Sequence, residues 1–327
     1  MNSIQIHNVS KNYGEVIALK NINIDITEGE LFGLIGPDGA GKTTLFESLV
    51  TLSPADSGHS KVCGLDTVND RKKIRQIVGY MPGKFSLYSD LTVYENLKFF
   101  ADIFGTSIEE GYELIQDIWV QIEPFKKRPA GKLSGGMKQK LALCCALVHQ
   151  PKVLFLDEPT TGVDPVSRKE FWEMLKRLKK KNITIFVSTP YMDEAILCDR
   201  VALIQNGEIM TIDTPQGVVD SYPHKLYEIK TNNIFQVIKV LNNWDKTHSS
   251  NTFGKSIHFV AKDDNITEKQ IRSCLTTILL TNEENLPIEI QSISLIKATI
   301  EDCFIEFMST NADAYTDADQ NKVINNE

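Results

Sequence analysis

An α/β fold, a sheet covered by helices with a helical insertion and a smaller α/β domain behind it, is what this sequence predicts. Three observations carry it. Short apolar runs alternate with helical stretches through the first two thirds of the chain. Between Thr92 and Val148 the strand signals vanish and helix starts take over. After Thr214-Pro215 a separate strand and helix pattern begins and runs to about residue 310.

Taken in order, Ile4 to Ser10 and Ile22 to Ile26 alternate apolar with polar residues, as exposed edge strands do. Leu31 to Ile35, Val153 to Leu156, Ile183 to Val187 and Val201 to Ile204 are continuous apolar runs, which suit central strands buried on both faces. Thr92-x-x-Glu95 and Ser107-x-x-Glu110 are capping boxes that open helices of the insertion. Asn206-Gly207 marks a hairpin turn between Val201 to Gln205 and Glu208 to Thr211. The second pattern predicts strands over Lys225 to Lys230, Ser256 to Ala261 and Ile288 to Ile293. Helices are expected over Ile234 to Leu241, Thr267 to Leu280 and Ile300 to Met308. The domain boundaries that follow are 1–216, with its helical insertion at about 84–148, and 217–310. A tail over 311–327, poor in large apolar residues, is expected to be disordered.

Composition narrows the function classes. At 327 residues, 42% hydrophobic and 24% charged, the chain is ordinary globular protein. A formal charge of −8 argues against a sequence-independent nucleic-acid binder, so no nucleic acid is expected as partner. The start lacks a basic segment ahead of an apolar one, and no stretch approaches about 18 apolar residues, so neither export nor membrane spanning is expected. Six cysteines form no Cys-x-x-Cys pair and read as buried thiols of a reducing cytosol.

Gly36, Pro37, Asp38, Gly39, Ala40, Gly41, Lys42 and Thr43 match G-x-x-x-x-G-K-[ST] between an apolar strand and a helix beginning near Thr44. The glycines let backbone N–H groups form a nest around phosphate oxygens, and the helix N-terminus adds partial positive charge. Lys42 is expected to reach the β and γ phosphates of ATP, and Thr43 to place its hydroxyl on Mg²⁺. Thr44 completes the binding set. Asp157 and Glu158 end a buried strand, a costly place for two carboxylates unless they meet cation or water. Asp157 is expected to hold Mg²⁺ and Glu158 to act as general base on the attacking water. Leu133-Ser134-Gly135-Gly136-Met137 puts a hydroxyl and backbone donors at a helix start.

With that last motif the first 215 or so residues resemble the nucleotide-binding subunit of ATP-binding-cassette (ABC) transporters. The resemblance implies a P-loop NTPase cassette in which two copies pack head to tail. Each ATP then lies between the phosphate loop of one copy and the Ser134, Gly135 and Gly136 equivalent of the other. It assigns Tyr13, an aromatic before Gly14, to stacking on adenine, with a plain strand-edge tyrosine as the lesser reading. It assigns Val163-Asp164 to the loop through which the halves sense each other. It implies a separate membrane permease and a place on the cytoplasmic face of the inner membrane, held peripherally. The segment Lys84 to Tyr88 is either a permease contact or core. The later domain resembles the C-terminal extension of bacterial drug- and lipid-exporting ATPases, which favours export.

Two departures stand out. The family's glutamine after a Tyr-Met-Pro-like strand end is Gly83 here, following Gly79-Tyr80-Met81-Pro82. Its histidine after Ser188-Thr189 is Pro190, with Tyr191-Met192-Asp193-Glu194 fixing the register. His149 is not expected to substitute. Each missing transition-state contact costs roughly 10²- to 10³-fold in rate, whereas ground-state binding leans on the loop, Lys42 and Mg²⁺. The expectation is a binding-dominated site in an asymmetric pair with a second ATPase, or else a homodimer. A non-hydrolysing regulatory clamp is the alternative, and a soluble cassette ATPase acting on ribosomes or DNA a third reading.

Overall fold

The computed structural model describes residues 1–279 and 288–309. The described chain forms two units, Met1–Val218 and Val219–Ser309. In the first, the strands are β1 (Asn2–Tyr13), β2 (Val16–Thr27), β3 (Leu31–Ile35), β4 (Ser57–Val62), β5 (Leu65–Asp66), β6 (Val78–Met81), β7 (Val153–Asp157), β8 (Thr184–Thr189), β9 (Arg200–Gln205) and β10 (Glu208–Asp213). The helices between them are α1 (Lys42–Leu49), α2 (Arg71–Ile77), α3 (Val93–Phe104), α4 (Ile108–Ile122), α5 (Gly135–Leu147) and α6 (Pro165–Lys180).

The continuous apolar runs become the four interior strands of a six-stranded sheet ordered β10-β9-β3-β8-β7-β6. Every residue of β3, β7 and β8 is buried, as two covered faces require. β3 runs parallel to β8 and β9, and β7 parallel to β6 and β8. Their carboxyl ends therefore open at one edge, where ligands of such sheets bind. The pairing of Ile35 with Thr189 and of Asp157 with Ser188 brings three strand ends level there. Phe46 of α1 packs on Phe186 and Phe155, with ring centroids 4.7 and 5.8 Å away, so the helix after the phosphate loop is seated on the strands that deliver the acids.

The alternating segments at the start do not edge this sheet. They pair with each other in a separate antiparallel sheet ordered β2-β1-β4-β5. β1 is hydrogen-bonded on both sides, so the expected edge strand is interior; its alternation records one covered face rather than an open edge. β4 escaped the sequence reading because Ser57 to Val62 carries a single large apolar residue, Val62. At the β9–β10 hairpin, Asn206 and Gly207 both take positive φ, as a two-residue turn of this kind demands.

In the insertion both capping boxes form. Thr92 Oγ1 accepts from Glu95 N at 3.2 Å while Glu95 Oε2 accepts from Thr92 N at 2.8 Å, and Ser107 and Glu110 repeat the exchange. Fully buried Asn96 exchanges 3.0 Å hydrogen bonds with the backbone of Tyr88, fixing the loop that follows Gly83.

The chain enters the second unit through α7 (Pro215–Asp220). There β11 (Leu226–Thr231), α8 (Ile234–Asn242), β12 (Thr247–Phe253), β13 (Ser256–Ala261), α9 (Glu268–Leu279), β14 (Ile290–Ile296) and a helix over 300–309, α10, follow in order. The antiparallel sheet is ordered β12-β13-β11-β14 around a core of Tyr227, Ile229, Leu241, Phe259 and Leu275. β12 went unforeseen because Thr247 to Phe253 is almost wholly polar, as a solvated edge strand permits. β14 starts two residues later than expected. Leu280 and the tail over 311–327 lie outside the described residues. No disulfide joins any of the six cysteines, and burial pushes the Cys303 thiol up to about 11.

Candidate functional site

The phosphate loop leaves β3 at Gly36, where a Cβ would lie 2.2 Å from the backbone oxygen of Ile204 on β9. Only glycine lets these backbones approach so closely. Gly41 caps α1 with φ 103°, and a Cβ there would sit 2.4 Å from Ala18 O. Pro37 is half-buried, Asp38 and Gly39 are exposed, and Ala40 is buried, its carbonyl accepting from Gly207 N at 3.0 Å. The first N–H groups of α1, those of Lys42, Thr43 and Thr44, have no carbonyl one turn behind them within the helix, so they remain donors for an anion.

Lys42 is 3% exposed, a burial that demands partners for its charge. Its Nζ donates to Gly36 O and Pro37 O, each at 2.8 Å, and lies 3.0 Å from Glu158 Oε1. Thr43 Oγ1 donates to Asp157 Oδ2 at 2.7 Å. The residues named for phosphate, metal and general base therefore meet at one strand edge. The Thr43 hydroxyl beside the Asp157 carboxylate is an all-oxygen donor pair of the kind Mg²⁺ takes. Glu158 holds φ 47°, a left-handed conformation that costs a non-glycine residue about 1–3 kcal/mol and points to a constrained functional position.

Ser188 belongs in this group although it was not among the expected site residues. Its Oγ donates to Asp157 Oδ1 at 2.6 Å and accepts from Glu158 N at 3.0 Å. It thus orients both acids. The available signal was its place at the polar end of an apolar strand registered with Asp157.

Glu194 was missed as well. It is 2% exposed, and its carboxylate accepts from Thr160 Oγ1 at 2.8 Å, from Thr189 Oγ1 at 2.6 Å and from Arg168, whose Nη2 lies 3.0 Å away. This network ties the segment after Glu158 to the end of β8 and to α6. Asp164 caps α6 by accepting from Val166 N and Ser167 N at 3.1 and 3.0 Å, and the Ser167 bonds, backbone first, hold its carboxyl below the usual range.

Gly83 lies against the acids: a Cβ would stand 3.2 Å from Asp157 O and 3.8 Å from both Asp157 Oδ2 and the Glu158 side chain. Pro190 follows Thr189, whose carbonyl accepts from Gly36 N at 3.3 Å. Both departures therefore stand beside the phosphate loop or the acid pair. His149 does not stand in for either. It stacks on Phe104 at 3.7 Å, faces Val78 O, and burial holds its imidazole below the usual range.

Tyr13 is half exposed, opposite Val16 at the end of β1, with exposed Val16 and Ile17 beside it. The strand continues to Ala18, whose carbonyl faces Gly41, so the aromatic patch adjoins the phosphate loop. Ser134 and Gly135 are exposed, and the Ser134 hydroxyl caps α5 by accepting from Met137 N at 3.4 Å. A Cβ on Gly136 would meet Ser167 Oγ at 2.6 Å. The structure thus brings Gly36 to Thr44, Asp157 and Glu158 together but faces Ser134, Gly135 and Gly136 toward α6 and solvent.

Next to Gly83, a groove of about 340 Å³ runs between the sheet and the insertion, lined in part by Tyr80, Lys84, Phe85, Phe100, Phe104 and Ala142. Of the Lys84 to Tyr88 segment only Leu87 is buried, so the two readings of that segment divide: one residue is core and the rest are surface.

Comparison with known proteins gives the chain its family. A family model described as "ABC transporter" matches residues 19–161. "Probable multidrug ABC transporter ATP-binding protein YbhF" of Escherichia coli is 38% identical over 254 residues, covering 76% of this chain and 43% of that protein. The chain thus spans less than half the length of that relative. "Nod factor export ATP-binding protein I" of Burkholderia lata is 38% identical over 221 residues, covering 67% of this chain and 73% of that protein. The dimeric, post-hydrolysis ATP-binding cassette MJ0796, bound to ADP and Pi, superposes with a TM-score of 0.58 at 27% identity, over 64% of this chain and 98% of that one.

Proposed function

The chain belongs to the ATP-binding proteins of the ABC transporter family, and on that premise we propose that it drives an exporter from a site that binds ATP well but hydrolyses it slowly. The observation that carries this reading is Gly83. Position 83 lies within van der Waals reach of the Asp157 and Glu158 side chains, yet offers them no polar group.

In the site as built, Lys42 divides its charge between two loop carbonyls and Glu158. An incoming triphosphate would take Lys42 from Glu158, and the released carboxylate would be free to accept a proton from water. Thr43 and Asp157 would hold Mg²⁺, which offsets phosphate charge, with Ser188 keeping the Asp157 carboxylate aimed. Tyr13 would stack on the base. What this chain cannot supply is the amide and imidazole that would fix the water and γ phosphate, since Gly83 and Pro190 replace them. Binding is left largely intact while the transition state loses two contacts.

The exposed N-terminus of α5 would complete the site of a second ATPase, so an unequal pair follows: Ser134, Gly135 and Gly136 serve the partner's ATP. The names of the two relatives, one a multidrug protein and one an export protein, support export. The groove beside Lys84 and Phe85 is where a membrane permease would dock, placing the chain peripherally on the cytoplasmic face of the membrane. Among the described residues no helix is long and apolar enough to cross a bilayer. A regulatory clamp without hydrolysis is the second reading, favoured by the same Gly83 and opposed by an intact Glu158. The test is a purified pair carrying Lys42→Ala in this chain or the matching change in its partner. Unequal loss of turnover supports the asymmetry; equal loss contradicts it.

A further inference from the structure

Three of the chain's six histidines lie in the second unit, and all three face one helix. On α10, Asp302 and Glu306 are four residues apart and so share a face. Buried Asp302 Oδ1 meets His258 Nδ1 of the interior strand β13 at 2.7 Å, and its other oxygen accepts from Thr299 N and Oγ1. That acid is fully engaged. One turn on, Glu306 meets two imidazoles: His224 Nε2 lies 3.2 Å from Oε1 and His248 Nε2 lies 3.5 Å from Oε2. The two rings lie against each other with centroids 4.6 Å apart, and the three donor atoms all fall within 4.8 Å of one another.

We propose that His224, His248 and Glu306 form a binding site for a divalent transition-metal ion of the zinc class. The donor set decides the class. Two imidazole nitrogens with one carboxylate suit Zn²⁺, Co²⁺ or Ni²⁺, whereas Mg²⁺ and Ca²⁺ take oxygen donors. Bonds of about 2.0–2.2 Å in tetrahedral array set donors roughly 3.3 Å apart, and here each imidazole lies 3.2 or 3.5 Å from one of the two carboxylate oxygens, with the three donors inside 4.8 Å. The local backbone also presents the ligands. Thr247 pairs with Ala261 and Ser249 with Val260, so His248 is the extra residue of a bulge in the edge strand β12, a device that re-aims a side chain. His224 comes from the loop entering β11 and Glu306 from α10, so one ion would join three separate segments and fasten α10 to its sheet. Three protein ligands leave a coordination position for water or a further group.

The test uses the full chain, tag-free and stripped with chelator, in excess Mg²⁺, titrated with Zn²⁺ by calorimetry and with Co²⁺ by visible absorption. Expected are one tight ion per chain and Co²⁺ bands without thiolate charge transfer. With Zn²⁺ in excess the unfolding midpoint of the second unit should rise by about 4 °C or more. His248→Gln, at a half-exposed edge position, and Glu306→Gln should each weaken binding by about tenfold or more while leaving ATP binding in place. Absence of a one-to-one site, a thiolate signature, or affinity unchanged in a folded His248→Gln variant would overturn the proposal.

Discussion

Lys42 Nζ lies 3.0 Å from Glu158 Oε1, so the cation of the phosphate loop and the acid suited to activate water hold each other. Neither reaches its expected role without parting from the other. On the proposed roles, nucleotide binding and release of the base would be one event, which variants at either residue can test.

Neutralising the acid should separate the two roles. In Glu158→Gln the triphosphate no longer competes with a carboxylate for Lys42, so MgATP is expected to bind about fivefold more tightly, roughly 1 kcal/mol. Turnover should fall about 10²- to 10⁴-fold with the loss of the general base. Equilibrium binding of a fluorescent nucleotide, beside phosphate release, measures both.

Removing the cation should do the reverse. Lys42→Ala deletes charge-assisted contacts of about 1.5–3 kcal/mol, an expected rise in Kd of about 10- to 100-fold. Circular dichroism should be unchanged.

The Ser188 hydroxyl donates to Asp157 Oδ1 at 2.6 Å and accepts from Glu158 N at 3.0 Å, so Ser188→Ala leaves Asp157 Oδ1 short of a partner in a buried place, while Glu158 N keeps the Ser188 carbonyl at 3.1 Å. A stability loss of about 1–3 kcal/mol is expected from denaturant midpoints, with turnover reduced by more than nucleotide affinity. Ser188→Thr should recover most of the stability.

The Glu194 network offers an internal control. Glu194→Ala leaves Arg168, Thr160 and Thr189 without their shared buried acceptor and should cost about 3–5 kcal/mol. Neighbouring Asp193, 75% exposed and 3.4 Å from Arg168, should cost at most about 1 kcal/mol when replaced by alanine. Urea unfolding of the two variants side by side reads the difference.

Much of this was legible in the residues, and what was not falls into two kinds. Runs such as Leu31 to Ile35 and Val153 to Leu156 could only be strands buried on both faces, and the loop between Ile35 and Thr44 announced itself by glycine spacing. β4 and β12 were invisible because a solvated strand needs few apolar residues, and its pairing partners are set by distant sequence. β1 was read as an edge because alternation reports how many faces are covered and nothing about neighbours in the sheet. Ser188 and Glu194 escaped for a different reason. A serine at a strand end and a glutamate in an irregular segment acquire meaning only when register and packing set them against Asp157, Thr160 and Arg168.

On the proposed function, the site binds ATP yet lacks two catalytic contacts. This is tested most directly by comparing the wild type with a Gly83→Gln, Pro190→His double variant, measuring MgATP affinity and turnover per site in each. Closely similar Kd values and a variant at least tenfold faster are expected, since each restored contact is worth up to roughly 10²- to 10³-fold. A wild type that turns over as fast as the double variant, at equal affinity, would contradict it.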